Sequence, residues 1–123
     1  MKAGNKITGA RLRIVLAPDV ALGPGKADIL EAIRDTGSIA AAGRRLGMSY
    51  RRAWHLVESL NACFREPLVE THRGGKSRGG ASLSETGQHV LTSYRRMERL
   101  THAAIAEELD GLRNELLEEA EGK

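Results

Sequence analysis

Groups able to grip a polyanion are concentrated in two short stretches of the 123-residue sequence, Ser49-Tyr50-Arg51-Arg52-Ala53-Trp54-His55 and Arg73-Gly74-Gly75-Lys76-Ser77-Arg78-Gly79-Gly80. In and beyond the first, Ala53, Val57, Leu60 and Phe64 recur at three- and four-residue steps. On a helix these positions fall within about 40° of one line and form a core stripe. Arg51, His55, Glu58 and Ala62 take the opposite face, with Arg52 on one flank and Trp54 on the other. Arginines in a first helical turn oppose the macrodipole, which favours acids there. A duplex major groove favours them, because a guanidinium bonds guanine O6 and N7 together. The plain alternative is a solvated charged face. Trp54 reads as a packing residue that closes the core. Tyr50 is expected nearer the buried side, with its hydroxyl in reach of a phosphate. His55 is placed to meet a base or a phosphate.

In the second stretch four glycines bracket Lys76 and Arg78. Such a loop can lay two or three cations along a minor groove or its phosphates. A solvent-exposed hairpin tip is the bland counterpart. Gly75-Lys76-Ser77 also matches the tail of the phosphate-binding pattern GxxxxGK[ST], but Glu70 stands where the first glycine belongs. No helix is expected at Ser77, so a nucleotide cradle is disfavoured. His55 has no second histidine or carboxylate at metal spacing beside it, and no metal site is expected. No Ser/His/Asp or Cys/His cluster and no paired carboxylates are recognisable, so the chain is not expected to be an enzyme.

The elements that would position these groups follow from periodicity and punctuation. Residues 1–10 read as a loose arm. A strand is expected over 11–16 and a short return strand over 20–22, with Gly23-Pro24-Gly25 as a firm break. Helical spacing covers 26–36 and stops at Gly37. Ser38 is an N-cap candidate for a second helix over 39–46, and Ser49 for a third over 50–64. Two short helices joined by a tight turn containing Gly47 form a helix-turn-helix pattern. Strands over 68–73 and 81–83 then flank the glycine loop. Ser84 caps a last helix expected to reach about residue 120, weakened only by Gly87 and Gly111. The fold class is therefore mainly α with small β-hairpins: a winged helix-turn-helix over 11–83, then a long helix over 84–121.

Composition narrows the class further. Aromatic residues make up 3% of the chain, so the core must come from Leu, Ile, Val and Ala. The single Cys63 has no disulfide partner, lies in an apolar helical stretch and is expected in the core, and a reducing cytoplasm suits it. No membrane span or secretory signal is legible. The net charge of +3 conceals an asymmetry: residues 1–100 carry seventeen Lys/Arg against nine Asp/Glu, and residues 101–123 carry two against seven. Residues 38–79 alone hold eight Lys/Arg against three Asp/Glu, so positive charge peaks on the two candidate polyanion-binding elements. On the last helix Val90, Tyr94, Met97, Ala104, Leu109, Leu112 and Leu116 form an approximate apolar stripe. A second copy of the same helix is the simplest cover for it.

Gly37-Ser38-Ile39-Ala40-Ala41-Ala42 and Leu46-Gly47-Met48-Ser49-Tyr50-Arg51-Arg52-Ala53-Trp54 resemble the N-terminal DNA-binding domain of ModE-type molybdate-responsive regulators. The likeness continues through Leu60-Asn61, Pro67-Leu68-Val69-Glu70, the glycine loop and Leu83-Ser84-Glu85-Thr86-Gly87, covering roughly residues 10–100. More distantly, the chain resembles the LysR-type helix-turn-helix. The resemblance implies that Ser49, Tyr50, Arg51, Arg52 and His55 face a major groove and that Lys76, Ser77 and Arg78 contact DNA from the wing. Ser38 and Arg73 join the DNA-facing set. It also implies a homodimer, assigned to Val90, Tyr94, Met97, Leu109, Leu112 and Leu116, on a palindromic operator. Full-length members carry C-terminal molybdate-binding domains, so molybdate binding and any cofactor are not expected within these 123 residues. Three functions compete: a sequence-specific transcriptional regulator, an interaction or antagonist subunit that pairs through its long helix with another regulator, and a small oxyanion-binding or nucleotide-using protein.

Overall fold

The computed structural model describes residues 8–72 and 80–117. The arm expected over 1–10 falls mostly outside these residues. Strands β1 (Ile14–Ala17) and β2 (Val20–Leu22) form one antiparallel hairpin, with Ile14 opposite Leu22. β1 is shorter than expected, because only the three residues of β2 are available to pair with it. The preceding Leu12 instead packs on the core, and its carbonyl accepts from the Tyr94 hydroxyl.

Gly23-Pro24 proves to be a helix start rather than a break. Helix α1 (Pro24–Thr36) begins at Pro24, whose missing N–H costs nothing in the first turn. It ends at Gly37, which adopts a φ of 75° and donates its N–H to the Ile33 carbonyl, as a left-handed C-cap requires. Helix α2 (Ile39–Arg45) is capped by the Ser38 hydroxyl, which accepts from Ala41 N at 3.0 Å. Helix α3 (Tyr50–Cys63) is capped by Ser49, which accepts from Arg52 N at 3.1 Å.

Strands β3 (Val69–His72) and β4 (Gly80–Leu83) pair antiparallel from Val69 opposite Leu83 to His72 opposite Gly80. Asn61 ties this hairpin to α3: its amide donates to the Val69 carbonyl, and its oxygen accepts from the N–H groups of Leu68 and Val69. On the other side Ala81 N donates to the Gly37 carbonyl at 2.9 Å, fastening β4 to the end of α1.

Helix α4 (Glu85–Arg113) starts at Ser84, whose hydroxyl accepts from Gly87 N. It stops short of the expected residue 120. Gly111 weakens the last turn, and Asp110 and Glu115 place acids where the macrodipole favours bases. The chain then tightens through Glu115 N to Leu112 O and Leu116 N to Arg113 O. Near its start, α4 crosses so close to Leu68 that a Cβ on Gly87 would collide with the Leu68 carbonyl. This glycine is a packing requirement and not merely a weak helix former.

The core is aliphatic, as the scarcity of aromatics demands. Ile29, Leu30 and Ile33 of α1, Val57 and Leu60 of α3, Leu68, and Leu91 and Tyr94 of α4 are its largest fully buried side chains. Arg95 staples α4 to α1, pairing with Asp28 and Glu31 across the helices and with Glu98 one turn on, each at 2.9 Å. Partial burial works against its charge, but the carboxylates of Asp28, Glu98 and Glu31 outweigh it and raise its pKa. Among the described residues no helix is long and apolar enough to cross a membrane.

Candidate nucleic-acid interface

The turn between α2 and α3 is built for close approach. A Cβ on Gly43 would lie 3.3 Å from both the Ala53 side chain and the Met48 carbonyl, so only a very small residue lets the two helices meet here. Gly47 takes a φ of 71°, and Met48 N donates to the Gly43 carbonyl, which turns the chain into Ser49. Ala53, Val57 and Leu60 are buried, and Phe64 packs against the core. The stripe read from the sequence therefore holds, and it rolls the opposite face of α3 outward.

That outward face carries Ser49, Tyr50, Arg51, Arg52, His55 and Glu58, all exposed. Among the described residues Arg51 and Arg52 make no ion pair. Arg44, at the end of α2, shares this condition, and the sequence reading did not single it out. The charge sorting is specific: the adjacent Arg45 is bound to Asp35 at 3.3 Å, and Asp35 also accepts from Arg34 at 3.0 Å. The Arg34 hydrogen bond, with further help from the charges of Arg34 and Arg45, holds the Asp35 carboxyl below its usual pKa. Glu58 confines the cationic surface of α3 to its first two turns.

Two expectations need correction here. Tyr50 does not lean toward the core but is 56% exposed. Cys63 is exposed rather than a core residue, because it follows Ala62 beyond the edge of the buried stripe. Trp54 behaves as expected: it packs against the core and meets the Tyr50 ring edge to face, with centroids 6.3 Å apart. Ser38 is partly buried, with its hydroxyl committed to the α2 cap, and it bridges to Gly80 of β4. It thus positions the hairpin against the helix-turn-helix. Arg73, Lys76, Ser77 and Arg78 lie outside the described residues. Strands β3 and β4 pair on either side of this segment, and near the last described pair His72 Nε2 lies 2.9 Å from Ser82 Oγ across the strands.

The residues assigned to dimerisation separate into two groups. Tyr94 is 0% exposed and belongs to the domain's own core, so it is not free to meet another chain. Val90 packs against that core as well. Leu112 and Leu116, by contrast, are 67% and 51% exposed; Met97 and Leu109 are partly exposed. Leu91, absent from the stripe read in the sequence, is buried beside Tyr94. One apolar stripe therefore serves the domain along its first turns and is left open along its last ones.

Two short helices locked around Gly43 and Gly47, a β-hairpin fastened to both and a long trailing helix define a winged helix-turn-helix protein. The chain belongs to the bacterial regulatory helix-turn-helix proteins of the LysR family, whose model matches residues 26–88. Its relatives include the molybdenum-pterin-binding protein MopA of Rhodobacter capsulatus, 40% identical over 77 residues, which are 63% of this chain and 29% of MopA. The transcriptional regulator ModE of Haemophilus influenzae is 33% identical over 100 residues, 81% of this chain and 39% of that protein. The DNA-binding transcriptional dual regulator ModE of Escherichia coli K12 is 32% identical over 82 residues, 67% of this chain and 31% of that protein. The chain thus spans well under half the length of these relatives. In fold it resembles the protein of the CbnR_DBD-DNA complex, with a TM-score of 0.57 and 23% identity, covering 72% of this chain and 95% of that one. Full-length CbnR solved with its target DNA gives a TM-score of 0.51 at 25% identity, covering 68% of this chain and 27% of that one.

Proposed function

We propose that this chain is a sequence-specific, DNA-binding transcriptional regulator of the ModE kind, with α3 in the major groove and the β3–β4 hairpin beside it. One observation carries the reading: the exposed first two turns of α3 hold Arg51 and Arg52 without acidic partners among the described residues, while Asp28, Glu31 and Asp35 are spent on Arg95, Arg34 and Arg45. Unpaired guanidinium groups on a protruding helix are the groups that bond guanine edges and phosphates. The relatives named as ModE regulators and the CbnR proteins solved on DNA support it. On this reading Lys76, Ser77 and Arg78 add phosphate contacts, the chain acts in the cytoplasm by binding alone, and two copies paired through α4 meet a palindromic operator.

The test is a mobility shift over graded salt, comparing a duplex selected from a random pool with unselected DNA. Preference for the selected duplex, with both affinities falling as salt rises, is the expected outcome. Equal affinity for the two duplexes removes the sequence-specific part of the reading. A second reading, an antagonist subunit pairing with a different regulator, draws on the exposed Leu112 at the far end of α4 and Leu116 just beyond it. It requires the chain to form mixed dimers and to bind no duplex by itself.

A further inference from the structure

The chain contains four aromatic residues, Tyr50, Trp54, Phe64 and Tyr94. Tyr94 is in the core, and Trp54 and Phe64 pack against it. Tyr50 alone projects outward, on an otherwise cationic surface and in the first turn of α3. Its hydroxyl makes no hydrogen bond among the described residues. Yet the ring is held: Trp54, one turn along, meets it at an interplanar angle of 87°, the edge-to-face arrangement that ring quadrupoles favour. Because Trp54 is anchored on the core, it sets where the Tyr50 ring stands relative to Arg51 and His55.

We propose that Tyr50 reads thymine: its ring, positioned by Trp54, packs on the 5-methyl group of one thymine in each half-site. The inference rests on the DNA-binding reading above. Residues at the start of a recognition helix meet base edges, and the thymine methyl is the apolar group that base pairs present in the major groove. A hydroxyl reaching a phosphate needs no ring held at a set angle. An apolar ring fixed beside two guanidinium groups matches a methyl placed beside guanine acceptors.

Replacing thymine by uracil, one position at a time, in the duplex selected as tightest for the 123-residue chain deletes the methyl and keeps the pairing. At one thymine per half-site uracil is expected to weaken binding about fourfold, the equivalent of one buried methyl group. Tyr50→Phe keeps that penalty and Tyr50→Ala abolishes it. Both are exposed-site changes, and an unaltered melting temperature confirms that the fold survives them. Trp54→Leu retains an apolar anchor, so it is expected to shrink the uracil penalty while leaving affinity for random DNA unchanged. Uracil tolerated at every thymine, or a penalty that persists in Tyr50→Ala, overturns the assignment while DNA binding stands. A uniform loss in Tyr50→Phe on selected and random DNA alike points to a phosphate contact and also overturns it. A wild-type chain that binds no duplex defeats the DNA-binding reading and this assignment together.

Discussion

Arg51 and Arg45 are both arginines near helix ends, yet among the described residues Arg45 has an acidic partner and Arg51 has none. Asp35 holds Arg45 on the surface of the domain. Arg51→Ala is therefore expected to cost about 1–3 kcal/mol on the selected duplex and to relax preference at one base pair, measured by competition against single-base variants. Equal losses on selected and random DNA would show that Arg51 touches only phosphates. Gly87 makes the opposite kind of prediction. Alanine raises helix propensity over glycine by about 1 kcal/mol, but here its Cβ meets a backbone carbonyl that cannot swing away. The collision is the larger effect, and Gly87→Ala should lower stability in urea by about 1–3 kcal/mol. A gain in stability would mean that α4 shifts freely over Leu68.

At the level of elements, α4 divides into an intramolecular and an open half. Its first turns bury Leu91 and Tyr94 against α1, and burial pushes the Tyr94 phenol up to about 12 from the ordinary 10. The folded state thus holds a proton that the unfolded chain releases above pH 10. This stabilisation is complete below pH 10 and is lost as pH rises through about 12. Plotted against pH, the urea midpoint should fall across that window, and Tyr94→Phe should remove this share of the fall, although losing the bond to Leu12 lowers stability throughout. The last turn of α4 and the turn that follows it leave Leu112 and Leu116 exposed. Sedimentation should find a dimer that Leu112→Glu converts to monomer, whereas an unchanged mass would place the partner surface elsewhere.

For the molecule as a whole, basic residues outnumber acidic ones over residues 1–100 and acidic ones outnumber basic ones over 101–123. On the DNA-binding reading, the acidic end of α4 would repel a duplex that approached it. Two such domains joined through α4 would present their recognition helices to one face of DNA. Sequencing of the selected duplexes is expected to reveal inverted half-sites with centres about 10–10.5 base pairs apart or a multiple of that spacing. A single unrepeated site would contradict the two-fold arrangement. The helix-turn-helix and the face of α3 were legible from the sequence, since caps at Ser38 and Ser49, stops at Gly37 and Gly47 and the Ala53–Val57–Leu60 spacing are all local signals. The sequence by itself likewise determined an aliphatic core and the two basic stretches, because composition and short-range periodicity do not depend on what packs where. Only the tertiary structure decided that Tyr94 is core and Leu112 is surface, that Cys63 faces water, that Gly87 lies against the Leu68 carbonyl and that Asp35 pairs with Arg45 but not Arg44. The physical reason is common to all of these: each depends on which distant segment lies against the residue, and helical spacing is the same whether a stripe is covered by its own domain, by another chain or by solvent.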